Sequence, residues 1–147
     1  MDYGIISVKQ LERIDRALKS GLIDGGVVCA ILVDVAGNII AGVDNGKVDF
    51  DVYSFATLAA GNYASVEAMS KLVGETEFSL LFQKGENVSI YFSRVSEAFL
   101  LITTFGKDVS LGFLRLKVAE SIERINLICH AKEESTKQVV ASTQAQF

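Results

Sequence analysis

The residues best able to do chemistry do not form a set in this sequence. His130 is the only histidine, and we expect it at the end of a helix, where a cation is favoured. Its neighbour Cys129 would lie about 100° away around that helix, so no Cys–His catalytic pair is predicted. One histidine and two distant cysteines, Cys29 and Cys129, cannot supply a tetrahedral zinc site. The sequence therefore predicts no catalytic residue, no metal site and no cofactor.

Two polar loops resemble binding motifs and fail on their spacing. Asp44, Asp49 and Asp51 are close in sequence, but they lack the ligand ladder and terminal glutamate of a calcium loop. Residues 42–47 resemble a phosphate-binding loop. Their glycine spacing is one residue short, however, and Val48 replaces the hydroxyl that would hold magnesium. Both segments are therefore interpreted as solvated connections.

Composition limits the class of protein and its partners. Half of the 147 residues are apolar, 22% are charged and the net charge is −4, as is typical of one soluble globular domain. No run of basic residues marks a nucleic-acid surface. The longest apolar run, residues 27–33, is far shorter than the ~18 residues of a membrane span, and the N-terminus has no basic lead. We expect a cytoplasmic location, no membrane insertion and no nucleic-acid partner.

Capping and periodicity predict the order of elements. A capping box at Ser7 and Gln10 begins a first helix that ends near Gly21. Strands follow at 27–34 and 39–43, and Asp51 can cap a second helix to about residue 73. Three strands are predicted at 77–83, 88–93 and 98–104, and Ser110 can cap a third helix. The domain is predicted to cover residues 1–130, with a polar and flexible tail at 131–147.

The second helix is the most informative element. Ala56, Ala60, Ala64 and Ala68 recur every four residues, which permits either close packing on the parent sheet or a symmetric helix–helix contact. The apolar arc of this helix is wider than one partner needs. The next predicted strand alternates bulky residues, and an exposed strand of that kind is an edge that favours pairing. These features favour a homodimer.

The ordered set of elements resembles the roadblock family, and within it the bacterial MglB type. The landmarks are residues 30–40, the alanine-rich helix at 55–72, and the segments 88–91, 98–101 and 111–116. The resemblance covers about residues 8–128. It implies an α+β sandwich of the order helix-β-β-helix-β-β-β-helix, in which a five-stranded antiparallel sheet has helices on both faces.

The resemblance also implies partners. Members of the family dimerise through the second helix and the strand after it, and the dimer binds a small Ras-like GTPase. In the MglB type the homodimer stimulates GTP hydrolysis by an MglA-type GTPase, so the catalytic groups belong to the GTPase. The alternative is a structural scaffold in a motility, polarity or motor complex, and a small-molecule sensor is a third interpretation. The expected dimer or partner interface consists of Phe55, Ala56, Ala59, Ala60, Tyr63, Ala64, Glu67, Phe78, Leu80 and Phe82.

Overall fold

A computed structural model describes residues 6–78 and 81–131. Three α-helices and five β-strands follow one another in the predicted order, with one 3₁₀ turn, Ile23–Gly25, after the first helix. The elements are α1 Val8–Gly21, β1 Cys29–Asp34, β2 Ile39–Asp44, α2 Val52–Leu72, β3 Leu81–Lys84, β4 Val88–Arg94, β5 Phe99–Gly106 and α3 Leu111–His130.

The three predicted N-caps begin the three helices. Ser7 Oγ accepts from the Gln10 N–H at 3.0 Å, and Gln10 Oε1 accepts from the Ser7 N–H at 2.8 Å, which completes the capping box. Asp51 caps α2 and Ser110 caps α3. The Gln10 side chain also donates to the Ile128 carbonyl at 3.0 Å, which ties the start of α1 to the last turn of α3.

The sheet has the strand order β2-β1-β5-β4-β3, and every neighbouring pair is antiparallel. The central pair, β1 and β5, is buried on both faces, because apolar residues occupy odd and even positions alike. β2 and β3 lie at the two edges.

Each face of the sheet has its own core. On one face α1 and α3 bury a cluster that includes Leu18, Leu32, Leu101, Leu114 and Ile125. On the other face α2 covers a smaller cluster around Ile31, Phe92 and Ile102. The predicted α+β sandwich with helices on both faces is confirmed.

The described part of the third strand is shorter than predicted. Among the described residues, β3 pairs with β4 from Leu81, opposite Phe92, whereas the sequence predicted a strand from residue 77. Residues 75–77 are all exposed and have no face that could pack on the sheet, so Phe78 precedes the strand instead of belonging to it. The alternation of apolar and polar residues wrongly extended the predicted strand to Glu77 and Phe78. The predicted tail, apart from Ala131, lies outside the described residues.

Within residues 6–78 and 81–131, no helix combines the length and hydropathy of a membrane span.

Candidate interaction surface

The inner side of α2 packs on the sheet of its own chain. Ala56 and Ala59 belong to the α2 core cluster, and Ala60 is only 3% exposed. The β1–β2 turn lies directly against this side of the helix, since a Cβ added at Gly37 would meet Thr57 Cα at 2.9 Å and Ala60 Cβ at 3.5 Å. Packing on the parent sheet therefore accounts for these three alanines.

The outer side of α2 is apolar and open to solvent. Leu58, Met69 and Leu72 are 74%, 52% and 86% exposed. At about 100° per residue, they share one arc of roughly 100° with three exposed small residues. We call this set the outer stripe: Leu58, Gly61, Ser65, Ala68, Met69 and Leu72. It contains no charged residue, and a Cβ added at Gly61 would meet no atom within 4 Å. The stripe is thus a smooth apolar surface.

Other predicted interface residues link α2 to the sheet. Glu67 forms an ion pair with Arg94 at the end of β4, and the Arg94 guanidinium lies 5.3 Å from the centroid of the Tyr63 ring. Arg94 also donates to the Ser96 and Glu97 carbonyls at 2.9 and 3.2 Å. This cluster fixes the position of α2 over the sheet and with it the direction of the outer stripe.

The remaining predicted interface residues do not share one surface: some lie on or near α2, and Phe82 lies on the α1/α3 face of the sheet. Phe55 is half-buried and forms an edge-on contact with Phe50 at 5.2 Å between ring centroids, while Ala64 is exposed beside the outer stripe. Phe78 is exposed after α2. Phe82 stacks on Phe105 at 5.9 Å on the opposite, α1/α3, face. Leu80 lies outside the described residues.

β3 offers a second contact beside α2. It pairs with β4 alone, so its outer edge has no neighbouring strand in the described part of the chain. Leu81 packs in the α2 core cluster, which places this edge next to the helix. The predicted interface therefore stays a prediction, now centred on the outer stripe and the β3 edge.

Leu58, Met69 and Leu72 were not predicted as interface residues. The sequence showed that apolar residues surround much of α2, but both sides of the helix contain small residues. Alanine spacing alone could not show which side faces the sheet. The signal in the sequence was the bulk of Leu58, Met69 and Leu72, which share one arc with no charged residue.

The two cysteine thiols are unsuited to nucleophilic catalysis. Burial raises the pKa of the Cys29 thiol to about 11, with the Asp44 carboxylate adding to the shift. Burial alone raises the pKa of Cys129 to about 11. Both thiols are therefore protonated at neutral pH, and the thiolate is the nucleophilic form. Among the described residues, no group of three or more His, Cys, Asp and Glu could hold a metal ion.

Comparisons with known proteins agree with this architecture. The model of the Roadblock/LC7 domain matches residues 15–105, which is more than half of the chain. No curated protein matches the sequence.

Three solved structures are similar over most of their length. A structure of "MglB with tetrameric arrangement" has 27% identity and a TM-score of 0.77, covering 85% of this chain and 93% of that chain. The gliding protein MglB of Thermus thermophilus has 28% identity, a TM-score of 0.76 and coverages of 85% and 94%. Myxococcus xanthus MglB has 26% identity, a TM-score of 0.77 and coverages of 88% and 98%. With the family model matching residues 15–105, the chain belongs to the Roadblock/LC7 domain family.

Proposed function

We propose that this chain is a homodimeric, non-enzymatic binding platform for a small Ras-like GTPase of the MglA type, and that it stimulates GTP hydrolysis by that GTPase. Its family and its likeness to MglB structures support the class of function. The outer stripe of α2 is the observation that carries the proposal, because it provides the surface on which two copies can meet.

The outer stripe has the properties of a symmetric helix–helix contact. A soluble monomer rarely exposes a contiguous apolar patch of this kind without a partner. Full burial of Leu58, Met69 or Leu72 would contribute about 1.5–3 kcal/mol per residue to association. Because the dimer is two-fold symmetric, each residue is buried in both copies. Gly61, Ser65 and Ala68 let two helix backbones approach to about 8 Å, the near end of the usual range. The occupant proposed for the stripe is thus a second copy of this chain.

The β3 edge adds a directional component to the same contact. β3 has one free edge among the described residues, and pairing with a copy of itself would satisfy backbone groups that otherwise bind water. Such pairing would join two five-stranded sheets into one. Since Leu81 shares the α2 core cluster, the helix contact and the strand contact can form together.

In the proposed complex, the GTPase supplies the chemistry of hydrolysis. The Roadblock/LC7 chain supplies a surface that binds one arrangement of the GTPase switch segments more tightly than another. A partner shifts such an equilibrium only by its differential affinity for the two states, and ordering of switch segments is the usual response of these GTPases. In the proposed dimer, the sides of the paired α2 helices that remain exposed and the β2 edge stay available for this contact.

The dimer and the GTPase complex can be tested separately. Light scattering should give a dimeric mass for the wild type and a monomeric mass for Ser65→Arg, because a charged side chain cannot be buried in the stripe without a partner. An exposed control, Lys47→Arg, should remain dimeric. A dimeric Ser65→Arg protein would place the interface elsewhere.

Complex formation should depend on the nucleotide. Mixed with an MglA-type GTPase, the wild type should co-elute with the form bound to a non-hydrolysable GTP analogue and not with the GDP form. Equal binding to both forms would favour the scaffold alternative. Absence of any complex would remove the GTPase from the proposal and leave the dimer result intact.

A further inference from the structure

A cavity of about 680 Å³ lies on the α1/α3 face of the sheet, close to the β3–β4 turn. Its floor is formed by Phe82, Ser89 and Phe105, and Val109 and Leu111 form a wall before and at the start of α3. The two phenylalanine rings are stacked with an interplanar angle of 17°. We call this space the β3–β4 cavity. It lies across the sheet from α2.

Ser89 is the polar group of the cavity floor. The residue is only 8% exposed and lines the cavity. Within the two described ranges, the fully buried side-chain oxygens that have no hydrogen-bond partner are Asp15 Oδ1 and Thr104 Oγ1, so the Ser89 hydroxyl, which has no bond to a described residue, is reached from the cavity. Buried hydroxyl groups in folded proteins are normally hydrogen-bonded. The Ser89 hydroxyl, which lies beside Phe82 and Phe105, is therefore available to bond a molecule that enters the cavity.

The charges at the rim favour an anion. Lys84 and Lys107 line the cavity, and Glu86 is its one acidic lining residue. Neither lysine forms an ion pair with a residue of the described ranges. The first turn of α3, a helix of 20 residues, also begins at this wall. A helix N-terminus directs N–H groups and a partial positive charge toward its surroundings.

We propose that the β3–β4 cavity binds a small planar acid with an apolar ring system. The ring would lie against the half-buried Phe82, whose own ring stacks on the buried Phe105, and the acidic group would accept hydrogen bonds from Ser89 and one of the two lysines. The volume falls within the range of about 300–1,000 Å³ that is typical of small-molecule sites, which combine an apolar lining with a few convergent polar groups. The cavity shares Phe82 and Lys84 of β3 with the proposed strand contact, but it lies on the opposite face of the sheet from the outer stripe, so binding there can be tested in the Ser65→Arg chain as well as in the wild type.

Naphthoate is a suitable probe because it is a planar aromatic acid, and naphthamide is its neutral counterpart. Titration of the isotope-labelled full chain with naphthoate should shift the backbone amide signals of Ser89, Phe105 and Leu111. Loss of a charge-assisted contact should make the naphthamide dissociation constant about tenfold larger. Equal affinity for the two compounds would overturn the acidic class of ligand.

Single substitutions locate the binding site and distinguish it from nonspecific binding. Ser89→Ala and Lys107→Ala should each weaken naphthoate binding about fivefold or more, and Lys71→Ala on α2 should not change it. Ser89→Ala should keep the thermal midpoint of the wild type, since the lost hydroxyl had no partner among the described residues. Shifts confined to the outer stripe, or no cavity shifts up to about 5 mM naphthoate, would refute the site.

Discussion

Gly61 gives the sharpest test of the outer stripe, because one methyl group should affect the monomer and the dimer in opposite directions. In the single chain, a Cβ at position 61 meets no atom within 4 Å. Replacing a glycine inside a helix by alanine should then stabilise the fold by about 0.5–1 kcal/mol. For a chain of this size that gain corresponds to roughly 1–4 °C in the thermal midpoint. It should be visible at concentrations where the chain is monomeric.

In the dimer, the same methyl group would lie between two closely packed helices. Overpacking of a tight contact costs about 1–3 kcal/mol, and about 1.4 kcal/mol corresponds to a tenfold change in affinity. Gly61→Ala should therefore raise the dimer dissociation constant roughly tenfold or more. Sedimentation equilibrium measures this constant, and thermal unfolding at low concentration measures the monomer.

Gly112 provides the matched control. It is an exposed helical glycine of α3 with no atom within 4 Å of an added Cβ, and it lies outside the outer stripe. Gly112→Ala should stabilise the monomer without weakening the dimer. If Gly61→Ala stabilises the monomer while the dimer dissociation constant stays at the wild-type value, the stripe is not a close helix contact.

Three other residues give further tests of the same structure. Ala60→Arg should yield an unfolded or aggregated protein, since Ala60 lies under the β1–β2 turn; a folded Ala60→Arg monomer in circular dichroism would contradict this packing. Asp15→Asn should raise the free energy of unfolding at pH 7 by at most about 1 kcal/mol, because partial exposure screens the charge. Burial raises the Asp15 pKa, opposed by a Gly42 hydrogen bond. The folded state therefore holds the Asp15 proton more tightly than the unfolded state, and the ionised carboxylate lowers stability at neutral pH. The stability gained by Asp15→Asn should vanish as the pH falls below 3.8, the ordinary pKa of this carboxyl in the unfolded chain. An equal gain at pH 3 and pH 7 in thermal unfolding would contradict burial of the charge as its cause. Cys29 should react with a thiol reagent at pH 8 only as fast as the chain unfolds, because its pKa is about 11 and it is buried; rapid labelling of the native protein would refute that placement.

The elements that depend on local chemistry could be predicted from the sequence. Ser7, Asp51 and Ser110 each accept a backbone N–H within three residues, so the signal for each helix start is contained in a short segment. The apolar runs of β1 and β5 indicated central strands because few other positions in a sandwich are covered on both faces.

The features that depend on distant contacts could not be predicted. The direction of α2 is set by the Glu67–Arg94 pair and by the turn at Gly37, and no spacing within the helix contains that information. Ser89 is a small polar residue that alternates with apolar residues along β4, and nothing in that pattern marks it as part of a cavity. It lies beside Phe82 and Phe105, whose positions depend on two other strands. The predicted strand wrongly included Glu77 and Phe78, which lie outside β3, because Phe78 continued the alternation in the sequence.

The rate of GTP hydrolysis in a single turnover is the most direct test of whether this chain stimulates an MglA-type GTPase. An MglA-type GTPase loaded with GTP would be mixed with increasing amounts of the wild-type chain or of Ser65→Arg, and phosphate release would be followed over time. The proposed function predicts acceleration that saturates with the wild type and is lost in the variant that cannot dimerise. An unchanged rate at saturating wild-type chain, with the GTP-bound complex formed, would contradict the stimulation of hydrolysis.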